Sequence, residues 1–531
     1  MSHDPSPFGP GDLQALTERG ISTAEANRQI ETLRRPPRWI RLDRPCTVGD
    51  GVRRLDESDH AGLLAAHREA ADAGRFAKFV PASGAATRMF RELLYYQCGP
   101  GRDQEWDTIE ARARLERDDR ARTLFRFVTE LEKFAFFGEL ERTLAARGED
   151  AGKRRITRDV QALLDALLGA DGMDYDALPK GRLLFHRDGD AARTSFEEHL
   201  VEAARYARSA DCICRLHLTV STEHRQGFER LLAEVGPYWS ERLGTTFEVG
   251  WSHQKPSTDT LAVDPEGNPF RDPSGNLVFR PGGHGALIEN LAELGGDLVY
   301  VKNIDNVQPE QRREATVLWK KLLGGLLVRT EREAHRLVRS LGGTDPDAAV
   351  LDEAETFARE ILAVDLPEVV RVGEQCRRAF LATLLHRPLR VCGVVPNTGE
   401  PGGGPFWVRS DNGDVRAQIV ETAQVAPQDK DQQDKLGSST HFNPVDLVCA
   451  LRDVGGAPFP LSEYVDPDTA IVTSKSSGGR DLRALERPGL WNGAMAGWNT
   501  LFVEVPLSTF TPVKSVMDLL RDEHQGRTID A

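Results

Sequence analysis

The sequence lacks the features that mark several large classes of protein. Its 531 residues include only seven cysteines, an odd number scattered along the chain, which predicts reduced thiols and a cytoplasmic location rather than a disulfide framework. Cys212 and Cys214 stand alone in a predicted strand and are interpreted as core residues, not metal ligands. No apolar run approaches the roughly 20 residues of a membrane span. The polar first twelve residues contain no apolar signal core.

An excess of positive charge is also missing. The formal net charge is −14, so nucleic acid and anionic membranes are not expected as partners, because both would be repelled by the surface as a whole. A local basic pocket for a phosphorylated metabolite remains compatible with this charge. The sequence makes no prediction of oligomeric state.

Three short catalytic motifs are absent as well. The chain has no Gly-x₄-Gly-Lys-[Ser/Thr] phosphate loop, no Gly-x-Ser-x-Gly nucleophile elbow and no His-Glu-x-x-His zinc pair. These absences disfavour P-loop nucleotide hydrolases, α/β-hydrolases and zincin proteases.

The hydrophobic pattern that is present predicts an α/β protein. Predicted strands at Ile213–Val220 and Thr246–Trp251 alternate with predicted helices at Arg193–Tyr206 and His224–Val235. Such alternation favours a mostly parallel sheet flanked by helices. Residues 1–75 are predicted to be an N-terminal helical extension, and residues 76–531 to be the core.

The stretch from Ala77 to Phe90 is the most informative in the chain. Phe79 and Val80 predict a buried strand, Ala82-Ser83-Gly84-Ala85-Ala86-Thr87 a tight loop, and the residues from Met89 onward a helix. Backbone N–H groups at the start of a helix favour a phosphate, and Arg88 adds a planar cation. An ordinary strand-to-helix turn with a surface arginine is the alternative.

Further along, an acidic residue follows a predicted buried strand. Leu298–Val301 is apolar, and Asp305 comes shortly after it. Ligands of parallel α/β sheets bind at the carboxyl ends of the strands, and carboxylate oxygen suits Mg²⁺. Asp305 is therefore a candidate metal ligand, with a strand-ending turn as the alternative.

Several segments in this order resemble the sugar nucleotidyltransferases, or pyrophosphorylases, of the UDP-sugar type. Residues 82–89 resemble their glycine-rich signature Gly-Gly-x-Gly-Thr-Arg-[Leu/Met], although Ser83 and Ala86 replace two of its glycines. The other matching segments are Pro179-Lys180, Pro281-Gly282-Gly283-His284-Gly285, Asp305-Asn306, Phe442-Asn443 and Pro512-Val513-Lys514-Ser515-Val516-Met517-Asp518-Leu519. The chain is similar to a divergent, DUF4301-like bacterial branch of that superfamily.

The resemblance implies a GT-A/Rossmann-like fold and transfer of a nucleotidyl group from a nucleoside triphosphate to a sugar-1-phosphate, with Mg²⁺ as cofactor. The implied catalytic residues are Arg88, Lys180 and Lys514, and Asp305 is the implied metal ligand. The implied substrate-binding residues are Ser83, Gly84, Ala85, Thr87, Gln254, Gly282, Gly283, His284, Gly285, Glu421 and Asn443.

The spacing of the motifs differs from that of simple members of the family. Two long helical stretches, near residues 91–175 and 308–386, separate motifs that lie close together there. Both are predicted to be insertions, the first of them a lid. Two other functions stay open: a GT-A glycosyltransferase that uses a nucleotide-sugar, and a binding protein that has kept the pocket and lost turnover.

Overall fold

The computed structural model describes residues 7–36, 38–115, 118–156, 159–189, 191–343, 347–364, 366–367, 373–400, 402–411 and 413–526. The chain divides into two compact units. The first comprises Met1–Ala77, Ser252–Val301 and Lys321–Leu507. The second comprises Lys78–Trp251, Lys302–Lys320 and Ser508–Ala531.

The α-helices occur throughout the chain. In chain order they are α1 (Pro10–Arg19), α2 (Thr23–Arg34), α3 (Glu57–Asp72), α4 (Arg91–Gln97), α5 (Trp106–Leu115), α6 (Asp119–Thr129), α7 (Phe137–Ala146), α8 (Ala151–Ile156), α9 (Val160–Leu168), α10 (Ser195–Tyr206), α11 (Arg225–Leu243), α12 (Leu287–Glu293), α13 (Arg313–Leu341), α14 (Ala348–Thr356), α15 (Glu374–Leu385) and α16 (Lys430–Gly437).

The strands are mostly short. In chain order they are β1 (Leu42–Pro45), β2 (Thr47–Val48), β3 (Gly51–Arg53), β4 (Phe76–Pro81), β5 (Leu184–Asp188), β6 (Ala191–Thr194), β7 (Ile213–Thr219), β8 (Thr246–Ser252), β9 (Thr260–Val263), β10 (Phe279–Arg280), β11 (Leu298–Lys302), β12 (Leu389–Pro396), β13 (Gly403–Arg409), β14 (Val415–Glu421), β15 (His441–Ala450), β16 (Ile471–Ser477), β17 (Arg480–Glu486) and β18 (Asn499–Glu504).

The first unit contains a mixed sheet in the order β2-β3-β18-β12-β15-β11. The pairings β2/β3, β3/β18 and β18/β12 are parallel, whereas β12/β15 is antiparallel. Strands β12 and β15 are buried along nearly their whole length, as expected for strands covered on both faces. The same unit holds two antiparallel sheets, β1-β13-β14 and β10-β9-β17-β16.

The second unit contains the neighbouring strands β4, β7 and β8, the hairpin β5-β6, and helices α4 to α11. A large apolar core joins α4, α6, α7 and α9 to Met89 and Phe90 at the end of the glycine-containing loop. Val513, Val516 and Leu519 near the end of the chain pack into the same core. Burial of these side chains therefore holds the loop and the segment around Lys514 in one body.

The predicted fold class is confirmed: the protein is α/β, with a mixed, largely parallel sheet and flanking helices. The N-terminal region is less uniform than predicted, because β1, β2 and β3 lie between its helices. Residues 91–175 carry helices α4 to α9, and 308–386 carry α13 to α15. The domain boundaries and the lid role stay predictions. None of the helices in the described ranges combines the length and apolarity needed to cross a membrane.

Candidate functional site

The glycine-containing loop follows β4 as the sequence predicts, but the turn after it is a short 3₁₀ helix, Ala86–Arg88. The first helix proper is α4, which begins at Arg91. Ser83, Gly84, Ala85, Thr87 and Arg88 are all exposed.

Two of the loop's backbone donors are available to a ligand. Among the described residues, the N–H groups of Ser83 and Gly84 make no hydrogen bond. The guanidinium of Arg88 forms no ion pair or hydrogen bond within the same part of the chain. Free N–H groups and an unpaired guanidinium can both bind an anion.

Ala86, one of the two residues that replace a family glycine, does not obstruct this face. Its side chain is fully buried in the apolar core, and its N–H donates to the carbonyl of Leu178 at 3.0 Å. The added methyl group therefore points away from the space a ligand would use. Ser83 is the only one of the two replacements that is exposed.

The loop is joined to the segment that carries Lys180. Ala85 and Pro179 form an isolated antiparallel bridge, and the hydroxyl of Thr87 donates to the carbonyl of Asp176 at 2.9 Å. Lys180 follows directly in a single 3₁₀ turn. Two motifs that are far apart in the sequence are thus neighbours in the structure.

Lys180, Asp305 and Lys514, which we call the ammonium–carboxylate cluster, meet in the second unit. The Lys180 ammonium lies 2.8 Å from Asp305 Oδ2, and the Lys514 ammonium lies 3.5 Å from the same oxygen. The Lys180 and Asp305 side chains are 14% and 11% exposed, whereas Lys514 is 60% exposed. Two fixed cations beside one carboxylate leave a net positive charge that faces solvent through Lys514.

Backbone hydrogen bonds hold the two sides of this cluster together. Val513 donates its N–H to the carbonyl of Asp305 at 3.0 Å, and its own carbonyl accepts from Lys180 at 2.7 Å. Asn306 Oδ1 accepts from the N–H of Thr511 at 3.0 Å. Val516 in turn donates to the carbonyl of Met89, which connects this segment to the glycine-containing loop.

Helix α10 supports the turn before Asp305. Ser195 and His199 both hydrogen-bond to the carbonyl of Ile304, His199 through Nε2 at 3.2 Å. Burial lowers the pKa of His199 well below its usual value, so the ring is neutral and Nε2 carries the proton it donates.

The charges of the cluster are mutually stabilising. Burial opposes ionisation of Asp305, but Lys180 and then Lys514 outweigh it, so the pKa of Asp305 lies below its usual range. Asp305 is consequently ionised at neutral pH.

A second group of predicted residues, around His284, lies in the first unit. The His284 ring stacks on Trp491 with centroids 4.2 Å apart, and Nδ1 accepts from the N–H of Leu490 at 3.1 Å. Nε2 therefore carries the hydrogen in the neutral ring, and it lies 3.7 Å from Glu421 Oε1. Burial lowers the pKa of His284 in spite of Glu421 and Glu486, so a neutral donor is offered here.

Gln254 and Asn443 are not brought to His284 or Glu421 by any contact between described side chains. Gln254 lies in the loop after β8 and is half-buried. Asn443 is buried in β15, where its Oδ1 accepts from the N–H of Val445, a residue with φ +59°. Its amide thus stabilises an irregular turn within the strand, and a role toward a sugar stays a prediction.

The glycines of the Gly282–Gly285 segment are required by packing. Gly283 has φ +75°, and a Cβ on Gly285 would lie 2.1 Å from the carbonyl oxygen of Pro488. We expect Gly285→Ala to lower the free energy of unfolding by about 1–3 kcal/mol, because backbone would have to move. Gly84→Ala is the matched control, since a Cβ there meets nothing within 4 Å. Urea unfolding measures both, and equal stability of the two variants would contradict the packing role.

Sequence reasoning missed a buried charge cluster behind Asp305. Glu202 on α10 binds the ammonium groups of Lys78 and Lys302, at 3.0 and 2.7 Å, and all three side chains are fully buried. A usable signal was present, because Lys78 interrupts the apolar strand Phe76–Val80 and Lys302 ends another. A lysine inside a buried strand requires a partner.

The described residues do not form a ready-made metal centre. They contain no group of three or more His, Cys, Asp or Glu side chains placed to hold an ion. In the ammonium–carboxylate cluster only Asp305 is acidic, and two ammonium groups already contact its Oδ2. A resident Mg²⁺ held by protein side chains alone does not fit this donor set.

Comparisons with known proteins place the chain in a family. The fold is similar to a mutant of the UDP-glucose pyrophosphorylase from Leishmania major in complex with UDP-glucose (13% identity, TM-score 0.42, covering 98% of this chain and 79% of that one). It is also similar to the uridine diphosphate N-acetylglucosamine pyrophosphorylase from Trypanosoma brucei (14% identity, TM-score 0.47, covering 96% of this chain and 78% of that one). No curated protein matches. The model of the domain of unknown function DUF4301 matches residues 10–525, and the chain therefore belongs to the DUF4301 family.

Proposed function

We propose that the protein is a sugar-1-phosphate nucleotidyltransferase, which forms a nucleotide-sugar and pyrophosphate from a nucleoside triphosphate. The observation that carries this proposal is the ammonium–carboxylate cluster beside an exposed loop with free N–H groups. These groups offer positive charge and hydrogen-bond donors, which is what a polyphosphate requires.

In the proposed reaction an oxygen of the sugar phosphate attacks the α-phosphorus of the triphosphate. A new phosphorus–oxygen bond forms, the bond to the bridging oxygen of the β-phosphate breaks, and pyrophosphate leaves with that electron pair. The protein needs no nucleophile of its own, and its contribution is positioning and neutralisation of charge.

Five residues of the second unit have a proposed task in that reaction. The N–H groups of Ser83 and Gly84, with Arg88, hold the triphosphate, and Lys180 neutralises it from its fixed position beside Asp305. Lys514, the most exposed of the cluster's side chains, holds the sugar phosphate. In the first unit we propose His284 and Glu421 as hydrogen-bond donor and acceptor toward a ligand, together with Gln254, Asn443 and the backbone of Gly282 and Gly283.

We further propose that Mg²⁺ arrives bound to the triphosphate. Asp305 can offer one carboxylate oxygen, and phosphate and water would supply the remaining ligands, as is usual for this ion. When bound, the ion neutralises the charge of the leaving pyrophosphate.

The test is a pyrophosphate-release screen of nucleoside triphosphates against sugar-1-phosphates in the presence of Mg²⁺. We expect one pair to be turned over, and Lys514→Gln to lower kcat/KM for the sugar phosphate on the order of 100-fold, since a contact to a phosphate is lost. Binding of the triphosphate, measured by calorimetry, should change little in that variant.

Lys133→Gln is the matched control, because Lys133 is an exposed lysine of the same unit whose contact is with Glu130. Equal loss in both variants would count against a specific role for Lys514. A parent protein that binds a triphosphate but releases no pyrophosphate with any partner would favour a binding protein without turnover. Release of free nucleoside diphosphate from a nucleotide-sugar would favour a glycosyltransferase.

A further inference from the structure

A second cavity, entirely within the first unit, carries features that the proposed function does not use. Its volume is about 800 Å³, and it is lined by the segment before β1, by β14, and by the segments after α15 and β15. Neither His284 nor Glu421 lines it. We call it the arginine cavity, after Arg387 and Arg416.

Neither of these two arginines has an acidic partner in the described part of the chain. Among those residues, neither guanidinium forms an ion pair or a hydrogen bond. Burial lowers the pKa of Arg387 to about 10, and the positive charge of Arg416 acts in the same direction. Two like charges in one partly buried space repel each other, and an anion between them would relieve this repulsion.

Five carboxylates also line the cavity, those of Asp411, Asp414, Glu463, Asp466 and Asp468, and none of them forms an ion pair with Arg387 or Arg416 among the described residues. Asp411 and Asp468 both bind Arg38. Asp466 accepts the N–H of Asp468, and burial raises its pKa. The lining as a whole is therefore not cationic, and what sets Arg387 and Arg416 apart is that neither guanidinium is paired with one of these carboxylates.

Two side chains of the lining hold amide oxygens that lack hydrogen-bond donors and are closed to solvent. Gln418 gives its amide nitrogen to the carbonyl of Ala496 at 2.8 Å, which leaves Oε1 as an acceptor, and this atom is buried without a hydrogen bond from any described residue. Asn492 likewise donates through Nδ2 to Gln424 Oε1, and its buried Oδ1 accepts nothing from the same residues. A buried acceptor without a donor is costly to the fold, and neither oxygen is accessible to a ligand in the cavity.

Aromatic side chains complete the lining. Trp39 and Tyr464 are both half-buried and both line the cavity. Flat aromatic surfaces favour a planar ring, and guanidinium groups bind carboxylate and phosphate through paired hydrogen bonds.

We propose that the arginine cavity binds a small organic anion, a planar ring that bears a carboxylate or phosphate recognised by Arg387 and Arg416. This proposal does not depend on nucleotidyl transfer. Gln424 connects the cavity to the group around His284. Its Oε1 accepts hydrogen bonds from Asn492 Nδ2, in the cavity lining, and from the N–H of Glu421.

The experiment titrates the full chain with three probes by isothermal titration calorimetry. The probes are 4-hydroxybenzoate, 4-hydroxyphenyl phosphate and the neutral 4-hydroxybenzamide, which share one ring and differ in charge. We expect at least one anion to bind and the amide to bind on the order of tenfold more weakly, because a charged hydrogen bond is lost. The anion that binds more tightly shows whether the cavity prefers a carboxylate or a phosphate.

The variants locate the site. The double variant Arg387→Gln, Arg416→Gln should bind the anion on the order of tenfold or more weakly than the parent protein does. The variant Lys514→Gln should bind it as tightly as the parent. Loss of like-charge repulsion predicts that the double variant unfolds at the same temperature as the parent or higher, which circular dichroism checks. If no anion binds, if the amide binds equally well, or if Lys514→Gln rather than the double variant loses binding, the proposal is wrong.

Discussion

Replacing Asp305 by asparagine is expected to lower the free energy of unfolding by about 3 kcal/mol, since removing one partner of a buried ion pair typically costs about 3–5 kcal/mol. Lys180 would lose its charged partner and keep only the carbonyl of Val513 as a hydrogen-bond acceptor. Under the proposed function, turnover should also fall on the order of 100-fold or more. Urea unfolding and pyrophosphate release measure the two effects separately.

A double variant that makes both Lys180 and Asp305 neutral separates their effect on stability from their effect on turnover. In the double variant Lys180→Gln, Asp305→Asn the two amides can still hydrogen-bond to each other and to Val513, but the charges are gone. We expect it to recover most of the stability lost in Asp305→Asn, because no buried charge remains unpaired. Turnover should not recover. If stability and turnover return together, the charges of Lys180 and Asp305 are not needed for the reaction.

The largest loss of stability is expected from Glu202→Gln. This change removes the carboxylate that binds the buried ammonium groups of both Lys78 and Lys302. The expected cost is about 3–5 kcal/mol, or failure to fold. Lys78→Met is the companion variant, because Glu202 keeps the ammonium of Lys302 as its ion-pair partner. It should lose far less stability, and a loss as large as that of Glu202→Gln would contradict the charge argument.

The same cluster predicts an unusual dependence of stability on pH. Burial lowers the pKa of Lys78 to about 7, although Glu202 opposes this shift. Between about pH 7 and 10 the unfolded chain then holds a proton on Lys78 that the folded chain has lost. Stability should therefore rise with pH in this window, by at most about 1.4 kcal/mol per pH unit.

Unfolding by urea at pH 7, 8 and 9 measures this rise in the parent protein. In Lys78→Met the Lys78 contribution should be absent, because the titrating group is gone. The charged and titratable groups that face Lys78, namely His199, Lys302, Lys320 and Tyr206, remain in both proteins and serve as the internal reference. Parallel pH profiles for the two proteins would show that Lys78 keeps its proton when folded.

The sequence by itself determined the α/β class, because alternating apolar strands and amphipathic helices are local patterns that side-chain burial enforces. It also placed the small-residue loop after β4 and an acidic residue after β11. Both follow from how strands end and where backbone groups are left exposed.

Only the tertiary structure decided which residues meet. Asp305 reads as a metal ligand in sequence, yet Lys180 and Lys514 contact its oxygen, because the segment after Thr511 is hydrogen-bonded to the turn at Asp305 and Asn306. Ala86 replaces a glycine of the family signature, and only the structure shows that its methyl group lies in the core. The pair of Arg387 and Arg416 has no sequence signal at all. Contacts of this kind join residues far apart along the chain, so they depend on how elements pack rather than on any local pattern.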